Sequence, residues 1–147
     1  MIENSQTTDE AQIRLLLDEF RNLLRVKDSD RIMSLYSPEI VVFDVPPPHQ
    51  RVGRKAYGKA VLEWFDSYRG PIAFETRDLS IAVGADVAFS HSLIRTSGTM
   101  KSGQEIDRWL RWTLCLRKVS GKWLITHEHI SMPVNPKSGN GVQDLQP

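Results

Sequence analysis

From Ile72 to Val134 the chain presents four long segments in succession, "IAFETRDLSIAVG", "DVAFSHSLIRTSGTM", "EIDRWLRWTLCLRKV" and "KWLITHEHISMPV". Each is rich in β-branched and aromatic residues, and glycine-containing turns part them. Long strands joined by short connections form a meander, so the sheet is expected to be mostly antiparallel. Everything before them reads differently. Ile13, Leu16, Leu17, Phe20, Leu23 and Leu24 recur at helical spacing behind a Thr7–Glu10 capping pair. A shorter helix is expected from Ser29 to Tyr36, stopped by Pro38, and then a strand, "EIVVFDV", closed by Pro46, Pro47 and Pro48. A third helix, in "GRKAYGKAVLEWFDSYRGP", carries Tyr57, Val61, Trp64 and Tyr68 at helical spacing and ends at Gly70-Pro71. Three helices and a run of strands predict an α+β fold, with a mostly antiparallel sheet that can curl around the helices. Polar residues on its inner face would line a cavity.

A chain of 147 residues is about one domain. The expected core spans about 9–133, with a loop-like tail over 134–147. The 19 basic and 18 acidic residues are interspersed, which leaves no electrostatic footprint for nucleic acid. No apolar run approaches the roughly 20 residues of a membrane span. The N-terminal "MIENSQTTDEAQ" lacks the basic start and apolar stretch of a secretory signal, so a cytoplasmic protein is expected. The single cysteine, Cys115, excludes an internal disulfide and reads as a packing residue.

Strand alternation sorts the candidate site residues. In the third long strand Ile106, Arg108, Leu110, Trp112, Leu114 and Leu116 form the inner face, and Trp109, Arg111 and Thr113 the outer one. In the second, Val87, Phe89, His91, Leu93 and Arg95 are taken as inner. Arg95 then either lines a ligand pocket or closes an internal salt bridge, because a charge on an apolar face must be paired or wet. In the last strand His127 and His129 share parity with Trp123 and Ile125, so both imidazoles are expected to point inward unless a bulge flips the strand. His127 is then structural, and His129 faces the ligand. Asp44, an acid after the apolar run Ile40–Phe43 and just before three prolines, reads either as an exposed edge residue or as a carboxylate at the cavity mouth. Tyr57, Trp64 and Trp112 read as core or as pocket wall. No HExxH or CxxC spacing occurs, and neither a metal nor a cofactor is expected.

The order of these elements, with "LYSPEIVVFDVPPP", "GRKAYGKAVLEWF" and "GKWLITHEHISMP", resembles the SnoaL-like branch of the nuclear-transport-factor-2-like superfamily, from about Asp9 to Pro133. The resemblance extends to its ketosteroid-isomerase relatives, and it implies their cone-shaped α+β fold, a curled sheet wrapped around three N-terminal helices. It implies a general base at Asp44, eight residues after Tyr36. The tyrosine that supports the oxyanion in those isomerases falls on Phe20, and the assisting aspartate near Thr113, where no carboxylate stands. The family contains both enzymes and binding modules.

The leading expectation is a small-molecule pocket protein, an isomerase or lyase in which Asp44 or His129 moves a proton while Arg95 and His91 hold an oxyanion. Arg108, Trp112, Tyr57, Trp64 and His127 complete the expected ligand space. The rival is a non-catalytic binding or dimerisation module. In either case a homodimer is expected, formed through the outer sheet face.

Overall fold

In the computed structural model, which describes residues 2–147 and side chains from residue 7 onward, α1 runs over Ile2–Arg25 and α2 over Ser29–Met33. They are followed by β1 (Tyr36–Phe43), β2 (Arg51–Val52), α3 (Arg54–Asp66), β3 (Ala73–Val83), β4 (Val87–Thr99), β5 (Glu105–Val119) and β6 (Lys122–Ser131). The six strands form one curled, open sheet in the order β2-β1-β6-β5-β4-β3. All neighbours are antiparallel except β1 and β6, which run parallel. The α+β fold expected from the sequence is the one observed.

Three boundaries differ from expectation; one is the end of α3, at Asp66 and not at Gly70-Pro71, so that Tyr68 lies beyond the helix and bridges Met100. Thr7 lies inside α1, which begins at Ile2, and not at its start. Tyr36 does not end α2 but begins β1, opposite Ile125 of β6. Its ring is buried and its backbone pairs in the sheet, so tertiary packing overrides the helical spacing of Ile32, Leu35 and Tyr36. Pro38 falls where the β1–β6 register shifts, between Tyr36 and Val41, and there no regular ladder bond is lost.

Helix α1 buries Ile13, Leu16, Leu17, Phe20, Leu23 and Leu24 against the concave face of the sheet. Each such side chain contributes on the order of 2 kcal/mol. Its N-terminal half is tied down by Asp9, which is 4% exposed and accepts hydrogen bonds from Lys118 Nζ at 2.8 Å and from Trp123 Nε1 at 3.1 Å. The Lys118 ammonium, and secondarily the indole N–H, hold the Asp9 carboxyl below the usual aspartate range despite its burial. α3 covers the far side of the concavity with Tyr57, Val61 and Phe65.

Register in β6 decides what the cavity contains. The two-residue Ser120-Gly121 turn, with φ of 51° and 78°, joins β5 to β6 and starts a regular ladder. Leu116 pairs with Ile125 but Cys115 pairs with His127, so Thr126 is an extra residue. This is a β-bulge, and it reverses the face of every residue beyond it. Trp123 and Ile125 are buried before the bulge, and Glu128 after it.

Candidate functional site

A cavity of about 150 Å³ lies between the helices and the concave face of the sheet. Its apolar wall is aromatic. The Phe20 and Phe74 rings stand 5.2 and 5.4 Å from Trp112, and Trp64 of α3 adds a further wall. The charged residues that reach it are Asp44, Arg51, Arg108 and Glu128.

Glu128 is 1% exposed and projects from β6 because of the bulge at Thr126. Its carboxylate collects three donors. Trp112 Nε1 donates to Oε2 at 2.8 Å, and the Tyr36 hydroxyl lies 3.2 and 3.1 Å from the two oxygens. The Tyr57 hydroxyl gives a short bond to Oε1. Burial lifts the carboxyl above the ordinary glutamate range, and the charge of Asp44 adds to this, while the bonds from Tyr57, Trp112 and Tyr36 oppose it. Burial, followed by the negative charge of Glu128, pushes both tyrosines well above the usual phenol range, so they remain donors.

Asp44 follows Val42 by two positions and thus continues the inner face of β1. Its Oδ1 accepts the Val45 backbone N–H at 2.7 Å. Burial raises its pKa, against the Val45 bond and the positive charges of Arg51 and Arg108. Asp44 also borders a shallow outer groove shared with Pro46–Pro48 and His129. A half-buried carboxyl with one oxygen free of hydrogen bonds among the described residues is equipped to exchange a proton with a bound molecule.

Of the residues singled out by the sequence, Asp44, Tyr57, Trp64, Trp112 and Arg108 converge on this cavity. His91, Arg95, His127 and His129 do not. On β4 the buried residues are Ala88, Ser90, Ser92, Ile94 and Thr96, so the inner face has the opposite parity from the expected one. His91 is exposed and Arg95 lies on the outer face. There Arg95 forms a forked pair with Asp107, Nε to Oδ1 and Nη2 to Oδ2 both at 2.7 Å, and approaches Glu75 at 3.8 Å. It is neither a pocket residue nor an internal salt bridge. The apolar side chains that suggested an inward face, Val87 and Phe89, are 47% and 49% exposed.

The bulge likewise turns both imidazoles outward. His127 Nδ1 bonds the Val41 carbonyl at 2.7 Å, and its ring and that of His129 stand edge-on to Phe43 at 4.7 and 5.4 Å. The expectation that both point inward is therefore overturned, and His129 meets Asp44 only across the outer groove. Thr113 is on the outer face too. The carboxylate that does reach the inner face there comes from β6, where Glu128 pairs with Leu114, and the Tyr36 and Tyr57 hydroxyls bond to it. Strict alternation conceals Glu128. Its signal in the sequence is its place between two histidines that the bulge displaces. Among the described residues no group of three or more His, Cys, Asp or Glu side chains is placed to hold a metal ion.

The whole architecture has solved counterparts. An NTF2-like protein of unknown function from Pseudomonas putida KT2440 is 29% identical, superposes with a TM-score of 0.87 and is matched over 96% of this chain and 98% of that one. A ketosteroid isomerase-like protein from Erwinia carotovora atroseptica shares 21% identity over 82% of this chain and 93% of its own, with a TM-score of 0.71. A candidate scytalone dehydratase from Novosphingobium aromaticivorans shares 15% identity over 87% and 86%, with a TM-score of 0.79. The last two show a common fold. No curated protein matches the sequence. Residues 13–135 match the SnoaL-like domain, and with its helices, curled sheet and enclosed cavity the chain belongs to that family.

Proposed function

We propose that the chain is an acid–base enzyme of isomerase or lyase type that acts on a small, largely apolar molecule held in the cavity. One observation carries this reading. Asp44 stands on the cavity wall with its pKa raised by burial, and two guanidiniums lie within electrostatic range. A carboxylate tuned toward neutrality is an effective base, and fixed positive charge nearby stabilises the oxygen that becomes negative when a proton leaves the adjacent carbon. Asp44 takes the proton. Arg51 and Arg108 face the developing oxyanion. Glu128, its lone pairs engaged by Tyr36, Tyr57 and Trp112, positions the cavity wall. The ketosteroid isomerase-like and candidate dehydratase counterparts share the fold, which is compatible with such chemistry.

The test is proton exchange. A panel of small cyclic ketones and hydroxyketones incubated in D₂O is followed by proton NMR for loss of C–H signal or elimination of water. Wild-type protein is expected to accelerate one of these reactions, and Asp44→Asn to abolish the acceleration while ligand still binds. An Asp44→Asn rate equal to wild type removes Asp44 from the chemistry. Binding without turnover favours a non-catalytic ligand-binding module. We also propose that the outer sheet face pairs with a second copy of the chain. Support comes from the exposed Phe89 and Phe43, and from a Trp109 indole nitrogen that is shielded from water without a hydrogen-bond partner among the described residues.

A further inference from the structure

The donors on the cavity wall are not matched by acceptors. Arg108 has neither a hydrogen-bond nor an ion-pair partner among the described residues, and its Nε is shut off from water. It interacts with Asp44 through charge alone. Directly opposite it across the β4–β5 ladder is Thr96, 3% exposed, whose hydroxyl is also buried and has no hydrogen-bond partner among the described residues. Directly paired strand residues share a face, with Cβ atoms about 5 Å apart. Arg51 repeats the pattern from β2. Its Nη1 is buried without a partner among the described residues, and its Nη2 makes one marginal bond of 3.4 Å to the Pro47 carbonyl. A guanidinium offers five donors and accepts none, and leaving such groups dry and unpaired is costly.

Asp44 does not relieve this, since neither arginine closes an ion pair with it. Glu128 does not relieve it either, because its oxygens are already engaged by Tyr36, Tyr57 and Trp112. The Asp44 end of the cavity therefore sets two cations and an idle hydroxyl against one carboxylate. A bound monoanion would supply the acceptors that these donors lack. Planar, bidentate recognition by arginine suits a carboxylate. The rest of the cavity is apolar and aromatic, and a void of about 150 Å³ accepts one benzene-sized molecule.

We propose that the ligand of this cavity is a small monocyclic carboxylate, its ring against Phe20, Phe74 and Trp112 and its carboxylate taken by Arg108 and Thr96 with Arg51. This rests on reading the cavity as the site of proton transfer and names the substrate class for it: the carboxylate held by the guanidiniums is then the group on which charge develops when Asp44 takes a proton from the adjacent carbon.

The probes are benzoate and its neutral isostere benzamide, titrated calorimetrically into the full chain. Benzoate is expected to bind at least about tenfold more tightly, as hydrogen bonds to charged groups exceed those between neutral ones. Arg108→Met should weaken benzoate roughly 10- to 100-fold and benzamide, which offers one carbonyl acceptor and no charge, distinctly less. Thr96→Val should weaken benzoate by a few-fold. Equal affinity of wild type for the two probes overturns the proposal without recourse to any variant. So does an Arg108→Met protein that is folded by circular dichroism and binds benzoate as wild type does. If Arg108→Met does not fold, Arg108→Lys takes its place, since it keeps the charge and loses the planar fork. Wild-type affinity for benzoate in that variant counts against the proposal. Failure to bind benzoate at millimolar concentration while neutral ketones still exchange protons sinks the carboxylate and spares the proton-transfer reading. Benzoate binding with no exchange on any substrate does the reverse.

Discussion

The Trp112 indole N–H reaches Glu128 Oε2 at 2.8 Å from the neighbouring strand, joining the inner faces of β5 and β6 through a carboxylate that no cation accompanies among the described residues. The bond exists only because both residues face inward. Removing the acceptor strands three buried donors. Glu128→Ala is therefore expected to cost about 3 kcal/mol or more in urea denaturation, and Glu128→Gln, which retains a carbonyl acceptor, distinctly less.

The same residue sets a pH dependence. Its folded-state pKa is raised, mainly by burial, so the folded chain binds more protons than the unfolded one. Its contribution is fully present below the ordinary glutamate value of about 4.3 and is lost as pH rises through the raised value. Wild-type stability measured from pH 4 upward should decline across that window, and Glu128→Gln should flatten the decline.

Asp44 should govern the acid limb of any proton-transfer rate. A base must be ionised, so turnover is expected to rise with pH through a pKa above the ordinary aspartate value of about 3.9. Arg51 and Arg108 pull that pKa down. Arg108→Met should therefore move the limb to higher pH. A limb that stays in place in Arg108→Met would place the titrating group elsewhere.

Substitutions on the outer face separate the cavity from the surface. Arg95→Met should leave ligand binding unaltered and change the melting temperature little, because its pair with Asp107 is open to solvent and screened. His91→Ala and His129→Ala should likewise spare binding. His127→Ala should cost on the order of 1 kcal/mol through the lost Val41 bond. A loss of ligand affinity in any of these variants would contradict the outward placement.

Assembly is checked by sedimentation equilibrium. Twice the chain mass is expected at micromolar concentration, and Phe89→Glu should shift the protein to monomer with an unchanged circular dichroism spectrum. A wild-type monomer would refute the pairing of outer faces.

The elements of this fold are legible because their periodicities are long and unbroken. The inner face of β5, from Ile106 to Leu116, and the helical stripe of α1 both come from simple counting. The face of β4 is hidden from such counting because exposed apolar residues, Val87 and Phe89, outweigh the small buried Ser90 and Ser92. A better signal lies in the hairpin. Counting back equally from Ser102 sets Trp112 opposite Ser92 and Leu110 opposite Ile94, and directly paired residues share a face. No comparable signal marks Thr126. A bulge is stabilised by contacts with other strands, here a Thr126 hydroxyl bond of 3.2 Å to the Cys115 carbonyl and a shift in the β1–β6 register, and neither is local in sequence. That one residue moves two histidines out of the site and Glu128 into it.

Thr126 also fixes where β6 can change length. A strand that must keep every second side chain on its proper side tolerates the loss or gain of a residue only where one already stands outside the count. Deleting Thr126 would straighten the strand and leave Trp123, Ile125, Glu128 and Ile130 on the side they now occupy. With the bulge kept, deleting a residue from Glu128 to Ile130 would instead exchange the faces of the residues beyond the deletion. The unpaired residue makes this one point a seam, where the chain can be shortened without rewriting the cavity.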